Sequence, residues 1–138
     1  MERCTYIKIA GKEYPMSFSL GAAKKIISKH GSAQGMVKAI KSKNDDIAKL
    51  DMVTEILELL INQGCAYKNY FEKDMPKPEN APVINGKWEP LPKEALEIAI
   101  GVYDMEEMVK KIEECVNAGN KKEFETKEDP KNAKATQE

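Results

Sequence analysis

Histidine is almost absent from this chain of 138 residues, and its scarcity removes the commonest route to covalent catalysis, in which a nucleophile stands beside a histidine base. The single one, His30, sits at the apolar edge of a helical stretch just before Gly31, a helix-terminal position. Cysteine is nearly as scarce. Cys4, Cys65 and Cys115 are odd in number and far apart, which argues against a disulfide framework and suits a reducing compartment. With His30 they would nominally make a three-cysteine, one-histidine zinc set, but the paired short spacings of zinc ligands are missing. Cys65 and Cys115 instead fall on or beside apolar helix faces, as small buried thiols do. No run approaches the ~20 apolar residues of a membrane span, and Met1 to Ala10 lacks the apolar core of a signal peptide, so a cytoplasmic location and no membrane contact are expected. No glycine-rich loop matches a phosphate-binding spacing around Gly31 and Gly35. The adjacent pairs Glu106–Glu107 and Glu113–Glu114 point about 100 degrees apart on a helix and read as solvated charge. No enzyme, cofactor or metal is expected.

Acid is missing between Glu13 and Asp45, where six lysines stand: Lys24, Lys25, Lys29, Lys38, Lys41 and Lys43. From Glu94 to Glu114 the balance reverses, with seven acids against Lys110 and Lys111. The basic segment 24–43, two short helices joined around His30-Gly31-Ser32, has the outline of a helix-turn-helix, so a small nucleic-acid-binding regulator is the alternative function. It contains no arginine, the residue that most often reads guanine edges. Lysine on the outer side of an amphipathic helix is ordinarily a soluble face, and nucleic acid is therefore the less favoured partner.

What is present is a patterned hairpin running into helices. With Gly11-Lys12 as a two-residue turn, Ile9 faces Tyr14, Ile7 faces Met16 and Thr5 faces Phe18. One side then carries Ile7, Ile9, Tyr14, Met16 and Phe18, and the other Lys8, Glu13 and Ser17. Pro15 donates no ladder bond, which puts the second strand at an edge or turns that position outward. A lone hairpin is marginal in water, so helices must cover this one.

The next apolar positions, Leu20, Ala23, Ile26 and Ile27, recur at helical spacing until Gly31. Ser32 is placed to cap a second helix bearing Met36, Val37 and Ile40. The longest helix is expected from about Asp46 to Glu72, with Leu50, Val53, Ile56, Leu57, Leu60, Ile61, Gly64, Tyr67 and Phe71 in one core stripe. Five prolines interrupt the segment 74–92, and within it Asn85-Gly86 signals a tight turn between short extended arms. Helix resumes after Pro92 in two phases. Leu96, Ile100 and Tyr103 follow one, and Met105, Met108, Val109, Ile112, Cys115 and Val116 the other, with a break near Gly101. Asp104 followed by Glu107 reads as the start of the last helix and Gly119 as its stop. The fold class is mostly α with a small N-terminal β-hairpin, α+β, in a compact helical bundle. One domain, 1–119, is expected, with the hairpin at about 4–18, the proline-rich loop at 74–92 and a disordered charged tail over 120–138.

The string Ile7-x-Ile9-x-Gly11-Lys12-Glu13-Tyr14-x-Met16-x-Phe18-Ser19-x-Gly21-Ala22 resembles the N-terminus of tail assembly chaperones of long-tailed phages and prophages of Gram-positive bacteria. The resemblance is close over about the first thirty residues and continues as a similar helical layout. It implies a non-enzymatic factor that coats the long, aggregation-prone tape measure protein, helps bring tail tube subunits to it and works in the host cytoplasm. In that family a frameshifted longer product often accompanies the short one. No family residue has a chemical role to transfer, so the binding surface must come from physics.

A chaperone of a helical client needs an apolar seam flanked by charge. Met52, Leu59 and Tyr70 make such a seam on a second side of the long helix, and Met105 and Met108 are adaptable contacts that share the last helix's core stripe. The seam either packs under the chain's own loop or meets a partner. Trp88, the only tryptophan, pins its loop to the core or touches a partner. Self-association into a homo-oligomer, including through the hairpin's edge, is a further expectation.

Overall fold

The structure is a computed structural model that describes residues 3–42 and 46–127, of which 121–127 are described by their backbone alone. Its order is β1 (Thr5–Ile9), β2 (Lys12–Met16), α1 (Leu20–His30), α2 (Ala33–Ile40), α3 (Ile47–Phe71), β3 (Val83–Ile84), β4 (Lys87–Trp88), α4 (Lys93–Ala99), a 3₁₀ turn (Val102–Asp104) and α5 (Met105–Lys127). The expected class, mostly α with an N-terminal hairpin, is the class found.

The hairpin's register differs from the expected one by two residues. Ala10 and Gly11, at φ 51° and 83°, form the turn, so Ile7 pairs with Tyr14 and Thr5 with Met16. Both central residues are left-handed, as in a type I′ turn, whereas the sequence suggested type II′ at Gly11-Lys12. Pro15 gives the physical reason. In the expected register it would oppose Lys8 at a hydrogen-bonded position and lose a ladder bond. Opposite Tyr6, counting from the closing pair Ile9–Lys12, it falls where the β2 nitrogen points away from β1. A shift of two preserves side-chain parity, and Ile7, Ile9, Tyr14 and Met16 are all buried on one face.

Strand β2 lies across α3, and its outer edge is occupied: Glu13 N–H donates to Asn80 C=O at 3.0 Å, and Ser17 N–H to Leu60 C=O at 3.1 Å. Ser17 is therefore buried, contrary to its expected outward place. Gly64 permits the crossing. A Cβ there would overlap the Pro15 carbonyl and stand 2.7 Å from the Met16 nitrogen. Phe18 leaves the strand to pack against Gly119, where a Cβ would lie 2.8 Å from the Phe18 Cβ.

Ser19 opens α1, its Oγ accepting from Ala22 N–H at 3.1 Å while donating to Gln63 Oε1. That anchor turns Ala22 and Ile26 inward. Leu20 and Ile27, expected in the core, are exposed, so the buried face is rotated from the expected one with Ile26 common to both. Gly31 at φ 84° closes α1, and Ser32 caps α2 through Gly35 N–H, both as expected.

Helix α3 begins at its Asp46 cap and ends at Glu72, the boundaries the pattern indicates. Val53, Ile56, Leu57, Leu60, Ile61, Gly64 and Cys65 are buried, and α1, α2, α4, α5 and β2 all pack on this helix. Phe71 departs from the expected stripe and faces outward. At the other break, α5 starts at Met105, directly after Asp104 as expected, while the Asp104 carboxylate caps the preceding 3₁₀ turn by accepting Gly101 N–H at 2.9 Å. Tyr103 is exposed rather than in phase with Leu96. The six expected core positions of α5 are all buried. Gly119 does not stop α5, which continues to Lys127 because there the glycine serves close packing on Phe18. The expected tail thus begins as helix, and its remainder, 128–138, lies outside the described residues, as does Lys43.

Candidate functional site

The four expected contact residues are not brought together. Met52 and Leu59 are half-buried and packed on the core, beside the positions of α3 to which α4 is fastened. That fastening is polar: Glu58 Oε2 accepts Lys93 N–H at 2.9 Å, and Lys93 Nζ reaches Asp51 at 3.3 Å and Glu55 at 3.2 Å. Hydrogen bonds from Lys29 and then Lys93 lower the Glu55 pKa, and those to Glu55 and Asp51 raise that of Lys93.

Trp88 is only 4% exposed and holds its loop to the core. Asn69 brackets its backbone, accepting Trp88 N–H at 2.9 Å and donating to Trp88 C=O at 3.0 Å. The β3–β4 turn at Asn85-Gly86, with φ 53° and 82°, returns the chain for this contact. Beside it lies a buried lysine. Lys68 Nζ pairs with Glu72 at 2.9 Å and stands 5.3 Å from the Tyr6 ring and 5.5 Å from the Trp88 ring, an ammonium between two aromatic faces. The loop, the hairpin and the end of α3 are thereby tied at one point.

Tyr70 alone of the four is exposed, at 77%, and it has company that the sequence reading did not assign. Phe71 is 73% and Met75 54% exposed. The Phe71 ring lies 5.1 Å from that of Tyr67 and 6.2 Å from that of Tyr70, and the Arg3 guanidinium sits 5.6 Å from the Tyr67 centroid. The stripe of α3 simply runs on past the elements that cover it, so its last turn shows aromatic surface. A length comparison held the signal: β2 has five residues, α3 has twenty-five.

At the other end of α3, a cleft of ≈ 1190 Å³ opens between β1, the end of α2 and the start of α5. Tyr6, Ile40, Val102, Tyr103, Met105 and Lys49 are among its walls. Tyr103 is 97% exposed at its lip, next to Asp104, Glu106 and Glu107.

All three cysteines are buried and none is in a disulfide, and burial pushes Cys65 and Cys115 up to about 12, which leaves them protonated and poorly nucleophilic near neutrality. His30 is half-buried at the end of α1. Among the described residues no group of three or more His, Cys, Asp or Glu side chains is placed to hold a metal ion, and no helix is long and apolar enough to cross a membrane. In the basic segment, Lys29 pairs with Glu55 at 3.1 Å and Lys41 with Glu113 at 3.2 Å, so two of its lysines are engaged within the chain. In comparisons with known proteins, no protein-family model, no curated protein and no solved structure matches this chain.

Proposed function

We propose that the chain is a non-enzymatic tail assembly chaperone of a long-tailed phage or prophage, which holds a tape measure protein in the host cytoplasm and aids tail tube assembly. The observation that carries this reading is the exposed aromatic end of α3, Tyr70 and Phe71, with Met75 exposed four residues beyond it. An amphipathic helix presents apolar side chains every three or four residues, and a cluster of two rings and a flexible thioether accepts them without a fixed register. Burying both rings contributes on the order of 3–6 kcal/mol before the costs of association. Lys73, Asp74 and Lys77 flank the cluster and keep the free form soluble. The resemblance of residues 7–22 to the chaperone N-terminus supports the same reading.

The test is co-expression with the long, helix-rich protein encoded immediately downstream, followed by purification at low and high salt. The wild type is expected to retain that protein at both, and Tyr70→Glu with Phe71→Glu to lose it while its circular dichroism is unchanged. No complex with the wild type, together with salt-sensitive nucleic acid in the preparation, would transfer the assignment to the lysine-rich segment 24–43.

A further inference from the structure

The link between α4 and α5 carries apolar side chains that the fold leaves bare. Ile98-Ala99-Ile100-Gly101-Val102-Tyr103 are six apolar residues in a row. Ile100 packs on the core, but Ile98, Val102 and Tyr103 are 81%, 63% and 97% exposed. Helix α4 has seven residues and turns Lys93 and Leu96 toward the core, which leaves Ile98 on its outer side. Val102 and Tyr103 follow on a three-residue 3₁₀ turn, too short to bury a face. Single exposed apolar residues are ordinary, whereas three within six positions make a patch of the kind that marks an interaction site.

The surroundings of this patch are acidic. From Lys93 to Val109 the chain has five acids, Glu94, Glu97, Asp104, Glu106 and Glu107, and one base. That base, Lys93, is neutralised by α3, where it reaches Asp51 at 3.3 Å and Glu55 at 3.2 Å. Lys110 stands one turn beyond Glu106, a single charge against the set, and Lys111 pairs with Glu114 at 3.7 Å. The cleft behind Tyr103 is mixed in charge and selects nothing. The patch runs from the cleft's lip onto α4, where Glu94, Glu97 and Ile98 lie outside the cleft's walls.

We infer that this patch is a docking surface for an arginine-flanked apolar segment of a partner protein. Carboxylates around an apolar patch repel nucleic acid and anionic lipid headgroups, so the complementary occupant is a basic segment of protein. The almost wholly exposed Tyr103 ring offers a face to a cation, and carboxylates on either side of it accept a planar guanidinium in pairs, which favours arginine over lysine. The apolar side chains of the same segment cover Ile98 and Val102. Lys49, beside Tyr103 in the cleft wall, precedes Tyr70 by 21 residues of α3, about 30 Å along the axis, so the patch is separate from the aromatic end and is occupied whether or not that end holds a client.

Fluorescence anisotropy of labelled peptides against the full chain is the test. The probe is a helix of about five turns with leucine on one face and arginine flanking it, and two counterparts carry lysine or glutamate in place of arginine. The arginine peptide is expected to bind, less tightly as salt rises, the lysine peptide about threefold more weakly, and the glutamate peptide not at all. Ile98→Ser with Tyr103→Ser removes the patch and is expected to weaken the arginine peptide at least about tenfold, and Glu106→Gln with Glu107→Gln about threefold, both with unchanged circular dichroism. Tyr103→Ser alone replaces the double change should Ile98→Ser unfold α4. Tyr70→Ser, at the other end of α3, is expected to bind as the wild type does. No binding of the arginine peptide overturns the inference, as does equal binding of the arginine and glutamate peptides or undiminished binding by the patch variant. A lysine peptide that binds as tightly as the arginine one overturns the choice of arginine, and a loss in Tyr70→Ser as large as in the patch variant overturns the location.

Discussion

Replacing Gly64 with alanine separates the role of this glycine in packing from its effect on helix propensity. In an unobstructed helix interior the change stabilises by about 1 kcal/mol. At position 64 the new methyl group meets the Pro15 carbonyl and the Met16 nitrogen, both backbone, so no side chain can swing aside. The hairpin has to lift from α3, which costs about 3 kcal/mol as overpacking. Lifting also breaks the 3.1 Å bond from Ser17 N–H to the Leu60 carbonyl and leaves a buried donor unpaired, about 1 kcal/mol or more. The net is about 3 kcal/mol of destabilisation. With a urea dependence of about 1.5 kcal/mol per molar, the unfolding midpoint falls by about 2 M. Trp88 fluorescence reports the transition, because the ring is buried at the loop that also leans on α3. Gly21→Ala is the control: its methyl meets side-chain atoms alone, Gln63 Oε1 at 3.1 Å and Ser19 Oγ at 3.7 Å, which can give where backbone cannot, and the midpoint stays close to that of the wild type. A Gly64→Ala protein as stable as the wild type would refute the reasoning about this crossing.

Asn69→Ala removes both backbone hydrogen bonds to Trp88 and is expected to cost about 2 kcal/mol and to shift the tryptophan emission to the red in the native state. Cys65 and Cys115 hold protons in the fold that an unfolded chain releases above pH 9, so their contribution to stability is full below about pH 9 and is lost as the pH rises toward 12. Urea midpoints measured across that range should fall, and Cys65→Ala should flatten the decline. Leu59→Glu places a carboxylate against the core and is expected to lower the urea midpoint by the equivalent of about 2 kcal/mol or more, in contrast to Tyr70→Glu, which should leave it unchanged.

The helices were largely legible because their signals are local. Asp46, Ser32 and Gly31 act where capping rules put them, and the core positions of α5 follow from periodicity alone. The hairpin's face was legible for the same reason, its register was not: parity survives a slip of two, and the deciding fact is that Pro15 avoids the ladder while Ser17 reaches Leu60, forty-three residues away. Gly119 shows the limit from another side. A glycine that ends a helix and one that admits a phenyl ring look alike in sequence, and only Phe18 across the fold distinguishes them. The Met52, Leu59 and Tyr70 seam was read as one surface because helical spacing puts the three on one side. Coverage, which spacing does not encode, divides it into two packed residues and one exposed one. Phe71 and Met75 were missed as neighbours of Tyr70 because a core stripe gives no sign of where its cover ends.

The most direct test of the chaperone assignment is how the downstream-encoded helical protein partitions between soluble and pelleted fractions when co-expressed with this chain. Wild type should keep it soluble, and the Tyr70→Glu, Phe71→Glu form, equally stable and equally expressed, should let it pellet. Equal solubility of that protein with both forms would contradict the claim that the aromatic end of α3 is the client-binding surface.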